Sequence, residues 1–257
     1  MNDSTQRFSS KVADYVKYRP SYPEAVIKLL ETDCGLGKDS VIADVGSGTG
    51  ILSELFLRRG YTVFGVEPNE AMRAAADQLL KDYQTFHSID GTAEVTKLAP
   101  HSVDLVTAAQ AFHWFDQQKA SAEFARILKP HGWVVLIWNE RRIETTPFLR
   151  AYEDLLLEFG TDYAKVRHEN VYDQIADFFA PQEFKLATFE NLQPVDFDGL
   201  RGRLLSSSYI PTAADPGYQS MLDRLRELFL AHQKNDMVMV EYDTKVYFGH
   251  LSPAGTR

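Results

Sequence analysis

The chain has 257 residues, 44% apolar and 25% charged, the composition of an ordinary globular protein able to bury a sizeable core. Cys34 is its one cysteine, which excludes an intramolecular disulfide and a zinc site built on several thiolates and predicts a reducing, cytoplasmic setting. The balance of 27 Lys and Arg against 36 Asp and Glu, net −9, opposes a phosphate backbone, and no run approaches the ~18 apolar residues of a membrane span, so neither nucleic acid nor membrane is an expected partner, nor is export expected.

In chain order, Tyr15, Tyr18 and Tyr22 recur at near-helical spacing beside Arg19, and Pro20 and Pro23 end that stretch in a turn. Residues 40–45 are a short apolar strand running into glycines, and 51–59 carry Ile51, Leu55 and Phe56 at helical spacing. Strand 61–66, a Pro68-Asn69 turn and an amphipathic helix over 70–80 repeat the pattern. Strands are predicted at 85–89, 103–109 and 133–138, with a helix over 117–128 before the last. Alternation of this kind implies an α/β fold with a doubly wound parallel sheet, whose ligands bind at the carboxyl ends of the strands. Beyond Asn139, Thr145-Thr146-Pro147 starts a helix presenting Phe148, Tyr152, Leu155, Leu156 and Phe159 on one face. Helices at 171–179 and around Leu222–Leu230, with strands at 184–189 and 237–248, complete the chain. One domain is expected over 1–257, with a binding core at 40–139 and helical cap insertions at 140–182 and 192–236.

The sharpest chemical signal is Ala43-Asp44-Val45-Gly46-Ser47-Gly48-Thr49-Gly50 between a strand and a helix. Glycines there permit positive φ and let a ligand approach the helix N-terminus. The dinucleotide fingerprint is G-x-G-x-x-G, whereas here the third glycine falls one residue early and Ile51 takes its place, which argues against a pyrophosphate. Glu67, 21 residues after Gly46, ends the second strand, where a carboxylate can accept from both hydroxyls of a ribose. A nucleoside ligand without a pyrophosphate is the economical reading. No HExxH-like pair and no G-x-S-x-G elbow occurs, so neither a metal site nor that acyl-transfer design is expected.

Five segments together resemble the class I S-adenosylmethionine-dependent methyltransferases, in particular the type 11 branch. VIADVGSGTG is similar to the first motif, VFGVEPNEAM to the second, and Ile89-Asp90-Gly91-Thr92-Ala93-Glu94 to the adenine loop, with Thr92 where an acid is usual. VDLVTAAQAFHWF is similar to the fourth-strand motif and RILKPHG to the turn before the fifth strand. Flanking segments YVKYRPSYP and YDTKVYFG resemble a subgroup that includes trans-aconitate-methyltransferase-like proteins. The resemblance implies a Rossmann-like, mostly parallel seven-stranded sheet with helical caps, S-adenosyl-L-methionine as cofactor and in-line methyl transfer to an oxygen or nitrogen of a small molecule.

It also implies roles. Gly46, Ser47, Gly48 and Gly50 would underlie the methionine part of the cofactor and Asp44 would accept from its ammonium. Glu67 would hold the ribose, Pro68 and Met72 would pack on the adenine, Thr92 and Ala93 would edge it, and Gln110 would border the sulfonium. The N-terminal stretch would fold over the cofactor, bringing Tyr18 to it and pairing Arg19 with its carboxylate. Tyr15, Tyr22, Trp114 and Trp138 would wall the acceptor, Asn139 and Arg141 would rim it, and His113 could take its proton. Arg141 and Arg142, with Arg201 and Arg203, make a carboxylate-bearing acceptor an expectation. A nicotinamide-dependent oxidoreductase and a catalytically inactive cofactor-binding interaction protein are the competing readings.

Overall fold

The computed structural model describes residues 18–161, 163, 171–207 and 209–251, so Tyr15 lies outside it. The described chain opens on helix α1 (Glu24–Asp33), with Pro23 at its N-cap and Val26, Ile27 and Leu30 fully buried on one face. The sequence predicts only a turn at this point. Proline's fixed φ and missing N–H suit a helix start, so Pro23 begins an element rather than ending one. The alternation then follows as β1 (Val41–Val45), α2 (Ile51–Arg58), β2 (Thr62–Val66), α3 (Glu70–Leu79), β3 (Phe86–Ile89), β4 (Val103–Ala109), α4 (Gln117–Ile127) and β5 (Leu128–Arg141). Next come α5 (Pro147–Phe159), α6 (Val171–Phe179), β6 (Phe184–Val195), α7 (Phe197–Leu205), α8 (Tyr218–His232) and β7 (Val238–Gly249).

The seven strands form one sheet in the order β3-β2-β1-β4-β5-β7-β6. Only β7 runs antiparallel to its neighbours, as expected for a Rossmann-like, mostly parallel sheet. The order turns outward at β1 and β4, and the crevice between their carboxyl ends is where such sheets take ligands. Two apolar layers cover the sheet. One carries Val45, Val106, Phe112, Phe124, Leu136 and Phe179, the other Ile27, Leu30, Ile42, Phe56, Leu105 and Ile137. Each large side chain so buried contributes about 1.5–3 kcal/mol. A third cluster, with Leu149, Leu156, Leu200, Leu204 and Leu225, joins α5, α7 and α8 to the start of β7.

Two boundaries differ from expectation. β5 begins at Leu128, which pairs with Val103 of β4 ahead of the main register that resumes at Leu105 and Trp133; Lys129–Gly132 bulge between the two pairs, with His131 at φ +67°. β6 continues to Val195, so residues 192–195 are strand rather than cap, and α7 follows at once. Its start is fixed by Asp196, whose side chain accepts from Gly199 N at 2.7 Å. Gly199 and Gly202 hid this helix in the sequence, since glycine weakens any helical pattern. Among the described residues no helix is long and apolar enough to cross a membrane.

Candidate functional site

The turn after β1 is built on left-handed glycines. Gly46, Gly48 and Gly50 have φ of +69°, +56° and +84°. A Cβ on Gly46 would lie 2.6 Å from that of Ala111, and one on Gly50 would meet Leu80 at the same distance, whereas one on Gly48 meets nothing. Packing therefore dictates the first and third glycines, and the open side of the middle one faces a cavity. Gly46 N and Ser47 N both donate to Val66 O, which ties the turn to the end of β2. There Glu67 accepts from Gly48 N at 3.0 Å on one carboxylate oxygen and from Asn69 N at 2.9 Å on the other. Each oxygen keeps acceptor capacity for a ligand hydroxyl. Burial holds the Glu67 carboxyl above its ordinary range, with the two backbone bonds and Arg73 opposing.

The cavity, of about 190 Å³, is walled by the glycine turn, by Glu67, Pro68, Asn69 and Met72 after β2, and by Thr92, Ala93 and Glu94 after β3. Ala109 at the end of β4 and Gln110, Ala111, Trp114 and Phe115 beyond it close it. Nine residues singled out from the sequence thus converge: Gly46, Gly48, Glu67, Pro68, Met72, Thr92, Ala93, Gln110 and Trp114. Asn69, Glu94 and Phe115 also line it and were not singled out. Asn69 carries a readable signal, a short polar residue before a helix, and its side chain caps α3 by accepting from Met72 N. Glu94 supplies near the loop the acid that Thr92 lacks, and is held by accepting from Asp116 N at 2.8 Å.

Ser47, Gly50 and Asp44 belong to the turn or the strand before it and are not among the residues that line the cavity. Asp44 is 1% exposed; one oxygen accepts from Ser53 Oγ at 2.6 Å, and the other, Oδ1, is buried with no hydrogen-bond partner among the described residues. Burial, aided by the neighbouring Glu67 and opposed by Ser53, pushes the Asp44 carboxyl up to about 7. Among the described lining residues there are two carboxylates and no Lys, Arg or His. This wall suits a cation and disfavours a pyrophosphate. Gln110 holds φ +54°, a conformation non-glycine residues rarely adopt, fixed by its N–H on Ile137 O and its side-chain amide on Asn139 O.

Several expected site residues lie elsewhere. Trp138 is 4% exposed and packs edge-on against Phe112 and Tyr247, in the core rather than on the acceptor wall. Tyr22 belongs to the α1 core, Tyr18 packs its ring on Gly202, and Arg19 donates to Ser206 O, so none of the three lines the cavity. His113 sits beside Trp114, ring centroids 4.8 Å apart, and it is Trp114 that faces the cavity. Asn139 is buried and bonded to Ser21, Asn191 and Thr244.

The paired-arginine carboxylate site is not formed. Arg141 donates to Glu153 at 2.5 Å and stacks over Tyr152, while Arg142 meets Asp243 and Glu190. Arg203 donates to Tyr18 O, Tyr242 Oη and Gln193 Oε1, and Arg201 is exposed. The chain's own oxygens engage Arg141, Arg142 and Arg203, with Arg141 Nη1 buried without a hydrogen-bond partner among the described residues.

Comparison with known proteins agrees with this geometry. A family model described as a methyltransferase domain matches residues 43–136. An uncharacterized methyltransferase of Mycobacterium tuberculosis is 32% identical over 235 residues, covering 90% of this chain and 88% of its own. An uncharacterized methyltransferase-like protein of Schizosaccharomyces pombe is 26% identical over 254 residues, 96% of each chain. Among solved structures, a protein of Anaeromyxobacter dehalogenans provisionally assigned as a type II methyltransferase superposes with a TM-score of 0.69 at 22% identity, over 92% of this chain and 99% of that one.

Proposed function

This chain belongs to the methyltransferase family, and from that premise we propose that it transfers a methyl group from S-adenosylmethionine to an oxygen or nitrogen of a small molecule. The observation that carries the reading is the carboxylate-lined cavity, free of Lys, Arg and His among its described lining residues, with Asp44 Oδ1, two residues before the glycine turn, buried without a hydrogen-bond partner among the described residues. A buried carboxylate without a counter-charge calls for a cation, and the cofactor's ammonium supplies one. Glu67 has capacity for the ribose hydroxyls, Pro68 and Met72 offer apolar surface to the adenine, and Thr92, Ala93 and Glu94 offer its edge polar contacts. Gln110 and Trp114 border the reacting end. The same wall opposes a nicotinamide dinucleotide, whose pyrophosphate would face Glu67 and Glu94 with no cation between.

Bound S-adenosylmethionine supplies an activated methyl group on a sulfonium. The chain's part is then to hold the donor in line with the acceptor and exclude water, which can be worth about 7–11 kcal/mol. His113 lies off the lining, and transfer to an ionised oxygen or a neutral amine needs no base there. A compact acceptor suits a cavity of about 190 Å³.

A labelled-methyl assay against panels of small phenols, acids and amines tests the reading. Donor-dependent turnover is expected with at least one class, and Glu67→Ala should weaken donor binding by about 1–3 kcal/mol, the range for bonds to a charged group. Transfer only to protein or nucleic acid, or an unchanged dissociation constant in Glu67→Ala, would contradict it.

A further inference from the structure

Residues 18–23 form a strap between α7 and the carboxyl edge of the sheet. At one end Arg203 Nε donates to Tyr18 O at 3.1 Å, Arg19 donates to Ser206 O at 3.0 Å, and the Tyr18 ring occupies the space where Gly202 has no Cβ. At the other, the Ser21 carbonyl accepts from three amides, one on β5 and two on β6, the strands either side of β7: Asn139 Nδ2 at 3.1 Å, Asn191 Nδ2 at 2.8 Å and Gln193 Nε2 at 3.2 Å. A carbonyl has two lone pairs, so three converging donors saturate this oxygen.

Asn139 is the junction. Its side-chain oxygen accepts from Thr244 Oγ1 and Asn191 Nδ2, its amide holds Ser21, and its backbone carbonyl accepts from the Gln110 side chain that lines the cavity. Gln110 keeps its positive φ only while its surroundings fix it. Resting on the function proposed above, we propose that Asn139 is a positioning residue, coupling the docking of the strap to the ligand-facing conformation of Gln110. Loss of the Ser21 contact leaves a buried amide donor unsatisfied beneath the segment on which Gln110 rests, and the side chain loses its fixed orientation. Since the strap is also tied to α7, movement on the cap side reaches the cavity through the same bonds.

A double-mutant cycle on the full chain tests this, with S-adenosylmethionine binding read by calorimetry. Asn191→Ala with Gln193→Ala removes two of the three donors to Ser21 and is expected to weaken binding about fivefold, at the lower end of ordinary site coupling. Gln110→Ala should have a similar effect, and the combined variant should be no weaker than the weaker of the two. Ile127→Ala, a core truncation at the end of α4 whose carbonyl accepts from Ser102 N before β4, away from these bonds, should destabilise the fold and leave the dissociation constant unchanged. If the paired strap variant fails to melt cooperatively, Gln193→Glu serves instead, since it keeps an acceptor for Arg203 and sets a carboxylate against the Ser21 carbonyl. Multiplicative effects in the cycle, or unchanged binding in the strap variant, overturn the coupling while leaving the function standing. No binding by the wild type overturns both.

Discussion

An Asp44→Asn variant is expected to bind S-adenosylmethionine about 2–3 kcal/mol more weakly than the wild type, the loss of a charge-assisted bond in a buried setting, and yet to melt at a higher temperature at pH 8. Both effects have one cause. The folded protein raises the Asp44 carboxyl from 3.8 to about 7, so between those values the native state holds a proton that the unfolded chain has released. Stability from this group therefore falls as pH rises through that window, and the cost is fully present above about 7. Asparagine does not titrate and avoids it. A ligand ammonium needs the ionised form, so wild-type affinity should increase from pH 6 to pH 8 while that of the variant stays flat. Titrations and melts at the two pH values provide the check. Equal affinities would remove Asp44 from the site, and a variant no more stable at pH 8 would mean that its charge is not costly.

Glu153→Ala should cost about 3–5 kcal/mol of stability, because it leaves the Arg141 guanidinium buried without its carboxylate. The side chains of the pair are 13% and 8% exposed, and Tyr163 Oη donates to the same Glu153 oxygen at 2.7 Å. Burial lifts the Tyr152 and Tyr163 hydroxyls well above the usual phenol range, so neither supplies a replacement anion. Replacing the pair together, Glu153→Leu with Arg141→Met, should recover most of the loss, since a buried ion pair is often no better than well-packed apolar groups. Denaturant unfolding measures both. A loss below about 1 kcal/mol in Glu153→Ala would show that the pair behaves as a surface bridge and that Arg141 is free for another partner.

How far the sequence carries depends on whether a signal is local. The glycine turn and Glu67 were legible because each answers a local demand at a strand end, and the strand–helix alternation brings those ends together; Thr92 and Ala93 were legible only through the resemblance to a known motif. Trp138 was not. It stands in Val134–Trp138, apolar at every position, where period-two alternation cannot say which face a residue takes, and the fold turns it into the core. The arginines failed for a different reason: partners such as Glu153 and Asp243 lie 12 and 101 residues away, beyond any spacing rule. The strap depends likewise on Asn191 and Gln193, some 170 residues from Ser21.

Isothermal calorimetry of the purified chain with S-adenosylmethionine, its demethylated product and NADH tests the central claim most directly. The acidic, cation-free cavity predicts micromolar binding of the first two and none of the third. Heat from NADH alone, with neither methyl donor nor product binding at millimolar concentration, would contradict the account.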